Sequence, residues 1–225
     1  MTRDEALERL RALADPEAKA GMARFGIETR QALGVSIPKL RSLAREIGRD
    51  HVLAGKLWAS GVHEARVLAA LVDDPKLVSE EQMERWVVEI DSWDVCDGVC
   101  STLFDRTPFA HAKAAEWSAR DEEFVKRAGF VLMAALAVHD KKAPDARFLE
   151  MLPLIEREAS DERNFVKKAV NWALRQTGKR NRSLNAAAIE AGERIRAQGS
   201  RAARWIAADA LRELRSDSVR ARLKG

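Results

Sequence analysis

The chain is short of several things, and each shortage excludes something. Only two of its 225 residues are cysteine, Cys96 and Cys100. They stand four apart, and no export signal precedes them, so they are expected reduced and buried rather than paired. No stretch approaches the ~20 uninterrupted apolar residues of a membrane-spanning helix. The opening Met1-Thr2-Arg3-Asp4-Glu5 is polar and helical, which does not fit a secretory signal. The cytoplasm is therefore the expected location. Alternating β-branched runs are absent, so no sheet is expected. No glycine-rich phosphate loop occurs, which argues against nucleoside-triphosphate chemistry. No serine or cysteine has a plausible histidine partner for nucleophilic attack. The two cysteines, with His111 as the nearest histidine in sequence, fall short of the four ligands of a zinc site. No metal and no cofactor are expected.

Charge is abundant and uneven. The net charge is +4. Residues 161–225 hold 16 Lys/Arg against 7 Asp/Glu, a local excess of +9, whereas residues 1–160 are at −5. A solvated basic region explains this, and so does a nucleic-acid footprint, since phosphate contacts dominate such affinity.

What is there reads almost entirely as helix. Ala, Leu, Glu and Arg dominate, and the breaks carry start signals. Asp15-Pro16 and Ser36-Ile37-Pro38 open two segments, Ser79-Glu80-Glu81-Gln82 fits a capping box, and Thr107-Pro108 fits a cap followed by proline. The spans expected are 2–14, 16–24, 37–48, 50–59, 62–72, 80–90, 93–104, 108–118, 122–139, 145–159, 162–177, 182–198, 200–214 and a turn near 217–223. His139-Asp140-Lys141-Lys142 reads as a helix end, where positive charge suits the dipole.

One unit recurs. A cation heads an apolar run in Ala65-Arg66-Val67-Leu68-Ala69-Ala70, Lys126-Arg127-Ala128-Gly129-Phe130-Val131, Lys167-Lys168-Ala169-Val170-Asn171-Trp172 and Ala203-Arg204-Trp205-Ile206-Ala207-Ala208. Aligning Arg66, Arg127, Lys168 and Arg204 gives separations of 61, 41 and 36 residues. The last two are near the period of about 40 residues of two-helix solenoid repeats. The expectation is an all-α fold: a single domain over 1–225, a solenoid of about five or six antiparallel helix pairs with a concave basic groove.

Two breaks in the pattern stand out. Four positions after the leading cation the aligned residues are Ala70, Val131, Trp172 and Ala208. The lone indole either plugs a cavity or projects into a groove. The second break is Ser92-Trp93-Asp94-Val95-Cys96-Asp97. Trp93 and Asp97 are i and i+4 and share a helical face, while Cys96, Cys100 and Phe104 fall on an adjacent core stripe. Asp94 suits the positive end of the helix dipole, and Asp97 lies a turn further in. Asp97 is then either half of an ion pair or a carboxylate held beside an aromatic plane. Trp58, Trp86, Trp117 and Trp205 read as packing between repeats, with Trp117 having a lesser claim on the groove. His51 and His63 read as surface or satisfied core histidines.

The segments Trp93-Asp94-Val95-Cys96-Asp97, Phe124-Val125-Lys126-Arg127-Ala128-Gly129-Phe130 and Asn164-Phe165-Val166-Lys167-Lys168-Ala169-Val170-Asn171-Trp172-Ala173-Leu174-Arg175 resemble the AlkD-type DNA alkylation repair glycosylases. Gly34-Val35-Ser36-Ile37-Pro38-Lys39-Leu40-Arg41 extends the likeness toward the front. The resemblance implies a HEAT-like solenoid that cradles duplex DNA and hydrolyses the N-glycosidic bond of purines alkylated at N3 or N7, with the lesion left stacked. It assigns Asp97 as the catalytic carboxylate, Trp93 and Trp172 as the aromatic pair, and Arg127 as the arginine near the lesion's backbone. Ser92 stands where the family carries a second aromatic. Some relatives with altered site residues bind unusual DNA without glycosylase activity.

The chemistry suits these residue types. Ordinary glycoside cleavage recruits two carboxyl groups, one of which protonates the leaving group. An alkylated purine is already cationic and leaves as a neutral base, so a single carboxylate suffices. Indole faces attract a sugar acquiring positive charge by ~0.5–2 kcal/mol per contact. Because that attraction grows toward the transition state, it accelerates the reaction. The candidate phosphate contacts are Lys126, Lys167, Lys168, Arg175, Lys179, Arg180, Arg182 and Arg204, along with Arg127. The expected partner is alkylated duplex DNA bound by a monomer, placing the protein on the nucleoid when it is bound. The rivals are a non-catalytic binder of distorted or branched DNA and a protein-interaction scaffold.

Overall fold

The computed structural model describes residues 1–223, and among these there is no strand. The helices cluster into two compact units, residues 1–107 and the chain from Pro108 onward.

The first unit contains α1 (Arg3–Ala12), α2 (Pro16–Met22), α3 (Ile37–Ile47), α4 (His51–Trp58), α5 (His63–Val72), α6 (Glu80–Val88) and α7 (Trp93–Thr102). Short 3₁₀ turns at Ala23–Phe25 and Phe104–Arg106 follow α2 and α7. At the N-terminus Thr2 and Glu5 form a reciprocal capping box that holds the first turn of α1. Asp15 caps α2 through the Ala18 N–H, as the Asp-Pro start signal implies. α5 is the centre of the unit and packs against α3, α4 and α7. Its apolar face (Ala65, Leu68, Ala69 and Val72) is fully buried. Beside it the Trp58 and Trp86 rings stack 4.1 Å apart at 3°, and the Arg66 guanidinium lies 5.3 Å from the Trp58 ring.

The Ser79 cap is only half of the expected box. Ser79 accepts from the Gln82 N–H, but the Gln82 side chain donates to the buried Asp73 carboxylate at 2.7 Å instead of reaching back. That bond gives the second oxygen of the buried Asp73 carboxylate a donor, beside the His51 ring and the Asp74 N–H on the first, and a buried carboxylate oxygen left without one is costly.

The second unit contains α8 (Ala110–Ser118), α9 (Glu123–His139), α10 (Asp145–Leu149), α11 (Leu152–Arg157), α12 (Asn164–Gly178), α13 (Arg182–Ala197), α14 (Arg201–Leu214) and α15 (Asp217–Arg220). α9 is its axis and lies against α8 and α12. Residues 125–137 of α9 are all buried. That accounts for a run with little amphipathic pattern, because a helix covered on all sides has no polar face to keep. Gly129 makes this possible: a Cβ there would stand 2.4 Å from the Ser118 backbone nitrogen.

Two start signals read differently in three dimensions. The helix expected from Pro108 begins at Ala110, because the Thr107 hydroxyl donates to the Phe104 carbonyl at 2.8 Å and does not cap. The helix expected over 145–159 breaks in two. Pro153, in the first turn of α11, has no N–H to offer and would crowd the Leu149 carbonyl, where α10 stops.

Candidate active site

α7 begins at an Asp-Ser-Trp-Asp sequence whose polar side chains are all engaged, Asp91 with Arg66, Trp93 with Phe25, Asp94 with His63, and Ser92 with Asp94. Ser92 is the N-cap residue, but its hydroxyl donates to the Asp94 carboxylate and makes no capping bond. Val95, Cys96, Val99 and Cys100 form the buried stripe that seats the helix, and both cysteines are free thiols. Burial pushes the Cys100 thiol well up, so it is inert as a nucleophile. Trp93 and Asp97 stand on the neighbouring stripe, and both are half-buried. The Trp93 indole N–H donates to the Phe25 carbonyl at 3.0 Å, so the ring is oriented from outside its own helix.

Beneath this turn lies a histidine–carboxylate hydrogen bond that the sequence reading did not assign to the site. His63, 6% exposed at the head of α5, places Nε2 2.8 Å from Asp94 Oδ2. Burial alone would lower the His63 pKa. The hydrogen bond and charge of Asp94, with Glu64 and Asp91 behind it, outweigh burial and raise it. Burial would likewise raise Asp94, but His63, the Ser92 hydroxyl and the Val95 N–H hold it below the usual carboxylate range. The legible signal was two ionisable residues, His63-Glu64, standing just ahead of the Arg66-led apolar run.

In the second unit Trp172 is half-buried on α12; of its aligned counterparts Ala70 and Val131 are enclosed and Ala208 is exposed. The indole is therefore not a sealed plug. Arg127 is 5% exposed and donates to the Phe165 carbonyl in the first turn of α12 at 2.6 Å. The Phe124 and Phe165 rings pack 5.6 Å apart over the same joint.

The cations expected at phosphate divide into two groups. Lys126 is buried and pairs with Glu158 at 2.5 Å, which departs from a surface role because its charge is held inside the unit. Burial would raise Glu158, but Lys126 and Arg157 outweigh it and lower its pKa. Arg175 pairs with Glu213 and Asp209, and Lys179 with Glu213 at 2.8 Å. Arg180 lies 3.8 Å from the Phe148 ring and donates to the Ala137 carbonyl at 2.7 Å, tying down the end of α9. Lys168, Arg182 and Arg204 are exposed. Lys167 is half-buried, its ammonium 5.6 Å from the ring of Trp205.

Trp58, Trp86 and Trp117 are fully buried, which ends any claim of Trp117 on a groove. Trp205 is the exception among the expected packing residues, being 41% exposed. Among the described residues no group of three or more His, Cys, Asp or Glu is arranged to hold a metal ion.

Among solved structures, the chain is similar to one described as belonging to a new family of proteins related to the HEAT-like repeat DNA glycosylases with affinity for branched DNA structures. The TM-score is 0.77 at 23% identity, over 86% of this chain and 83% of that one. At that identity the likeness speaks to the fold, which is a HEAT-like helical repeat. None of the curated proteins matches the chain. The family model described as DNA alkylation repair enzyme matches residues 6–214, and the chain belongs to that family.

Proposed function

We propose that the protein is a monofunctional DNA glycosylase that removes cationic N3- or N7-alkylated purines from duplex DNA. The observation that carries the reading is the Trp93–Asp97 pair. In a member of the alkylation repair family, an indole and a carboxylate stand one turn apart on a face of α7 that the core does not cover.

The chemistry needs little more. The N-glycosidic bond breaks with its electron pair going to the cationic purine, which departs neutral. Asp97 stabilises the oxocarbenium sugar left behind and orients a water molecule. The water oxygen bonds to the anomeric carbon and its proton passes to solvent through the carboxylate. The Trp93 face gains attraction as positive charge builds on the sugar. Within the second unit, Trp172 is assigned an indole contact with the DNA, and Arg127, buried and bonded to the Phe165 carbonyl, is assigned to holding α12 in place. Phosphate binding is assigned to Lys167, Lys168, Arg182 and Arg204. Arg175, Lys179, Arg180 and Lys126 serve their own unit through the bonds already described. The protein acts as a monomer, in the cytoplasm and on the nucleoid.

A second reading, non-catalytic binding of branched DNA, is favoured by the description of the similar solved structure. One experiment separates the two. Methylated duplex DNA is incubated with the protein and free 7-methylguanine and 3-methyladenine are quantified, while binding to duplex and four-way-junction DNA is followed in parallel. Base release supports the glycosylase. Junction binding without release replaces it with the second reading.

A further inference from the structure

The first turn of α5 holds two adjacent ionisable residues that are both buried, His63 at 6% and Glu64 at 2% exposure. Neither is explained by core packing, and burying ionisable groups is costly unless each is fully partnered. Their partners point in one direction. The His63 side chain takes Asp94, the residue that follows Trp93, at 2.8 Å. The Glu64 carboxylate accepts three backbone N–H groups, from Leu33 at 2.8 Å, Gly34 at 2.7 Å and Val35 at 3.2 Å. The His63 backbone N–H adds a bond to the Gln31 carbonyl at 3.0 Å.

The segment so gripped is the one that orients the Trp93 ring. The Asp15 N–H donates to the Leu33 carbonyl at 2.9 Å, which closes residues 15–33 into a loop. Gly34, at φ 82°, passes so close to Asp15 that a Cβ would stand 2.1 Å from its carbonyl oxygen. Within that loop lies Phe25, whose carbonyl accepts the Trp93 indole N–H. One helical turn thus reaches Trp93 twice, through its backbone by way of Asp94 and through its ring by way of Phe25.

We propose that His63 and Glu64 are positioning residues that clamp Trp93, and with it the Trp93–Asp97 face, in one orientation. The catalytic half of this proposal rests on the glycosylase reading; the clamp does not. Its direct readout is the indole ¹H–¹⁵N signal of Trp93, assigned by its disappearance in Trp93→Phe. In His63→Ala and in Glu64→Ala that signal moves upfield and broadens, while those of Trp117, Trp172 and Trp205 stay in place. His63→Gln, which keeps a donor for Asp94, restores it in part, and Glu64→Gln serves if the alanine variant does not fold. In single-turnover base release, His63→Ala slows the step at least tenfold with DNA affinity unchanged, and His63→Gln recovers much of the rate.

An unmoved Trp93 signal in a folded variant overturns the clamp. A moved signal with an unchanged release rate overturns its role in positioning. A parent protein that releases no base refutes the glycosylase reading alone, and the indole signal still decides the clamp.

Discussion

Gly129→Ala sets two opposing effects against each other at a single atom. Alanine in a helix interior is favoured over glycine by about 1 kcal/mol. Against this, the new Cβ would stand 2.4 Å from the Ser118 nitrogen and 2.9 Å from both Ser118 Cα and the Trp117 carbonyl carbon. All three are backbone atoms, so no side chain can swing aside. Ordinary carbon contacts lie at about 3.5–4.0 Å, so α8 and α9 must separate by about 1 Å. Overpacking of this kind costs about 1–3 kcal/mol and more where the backbone itself must move. The cost exceeds the helix gain, and the net loss is about 1–2 kcal/mol. At about 2–4 °C per kcal/mol for a chain of this length, the Tm falls by about 2–8 °C. Gly55→Ala on α4 is the control, since nothing lies within 4 Å of its added Cβ. There the gain of about 0.5–1 kcal/mol stands alone and the Tm rises. Differential scanning calorimetry of the two variants gives the answer. If Gly129→Ala is as stable as the parent, the α8–α9 approach described here is wrong.

Four further outcomes follow from the side chains. Lys126→Met removes the buried partner of Glu158 but leaves it Arg157, so in a denaturant titration it costs less than the ~3–5 kcal/mol of a broken buried pair, with the salt dependence of DNA binding unchanged. Lys168→Met does the reverse: stability holds, and the slope of log K against log salt falls in magnitude by about 0.9. Trp172→Ala costs about 2 kcal/mol of stability, below the 3–5 of a fully buried tryptophan, but slows base release far more than that loss explains. A variant that melts early and works normally once folded makes Trp172 a packing residue. The His63–Asp94 pair has its own pH signature. His63 is raised from its ordinary 6.5, so its contribution is complete below that value and is lost as pH rises through the higher folded pKa. Asp94 is lowered from 3.8, so its contribution is complete above that value and is lost as pH falls through the lower folded pKa. The Tm difference between the parent and His63→Gln is therefore largest between those two ordinary values and narrows on the alkaline side. A difference that widens there contradicts the pair.

The helices were legible because composition and start signals act locally. Asp15-Pro16 opens α2, and the spans from α3 to α7 lie close to those expected. What escaped were competitions that local sequence does not contain. The Gln82 side chain turns to the buried Asp73 carboxylate instead of accepting from the Ser79 N–H, and the Thr107 hydroxyl turns to the Phe104 carbonyl. At the candidate site, the shared stripe of Trp93 and Asp97 follows from i, i+4 spacing alone. The bond from the Trp93 indole N–H to the Phe25 carbonyl does not, because 68 residues separate them. The basic region misled for a related reason. Net charge counts Arg175 and Lys179 as free to meet phosphate, but their acidic partners Asp209 and Glu213 lie more than thirty positions away along the chain. His63 reads in the sequence as either a surface or a satisfied core histidine, and its burial against Asp94 decides for the second.

The central claim is that Asp97 carries the hydrolysis. Its direct test is single-turnover release of 7-methylguanine from methylated duplex DNA by the parent and by Asp97→Asn, at protein concentrations that saturate the DNA in both cases. The expected result is release by the parent and a loss of at least a hundredfold in Asp97→Asn, with DNA affinity retained. Equal rates from the two proteins would contradict it.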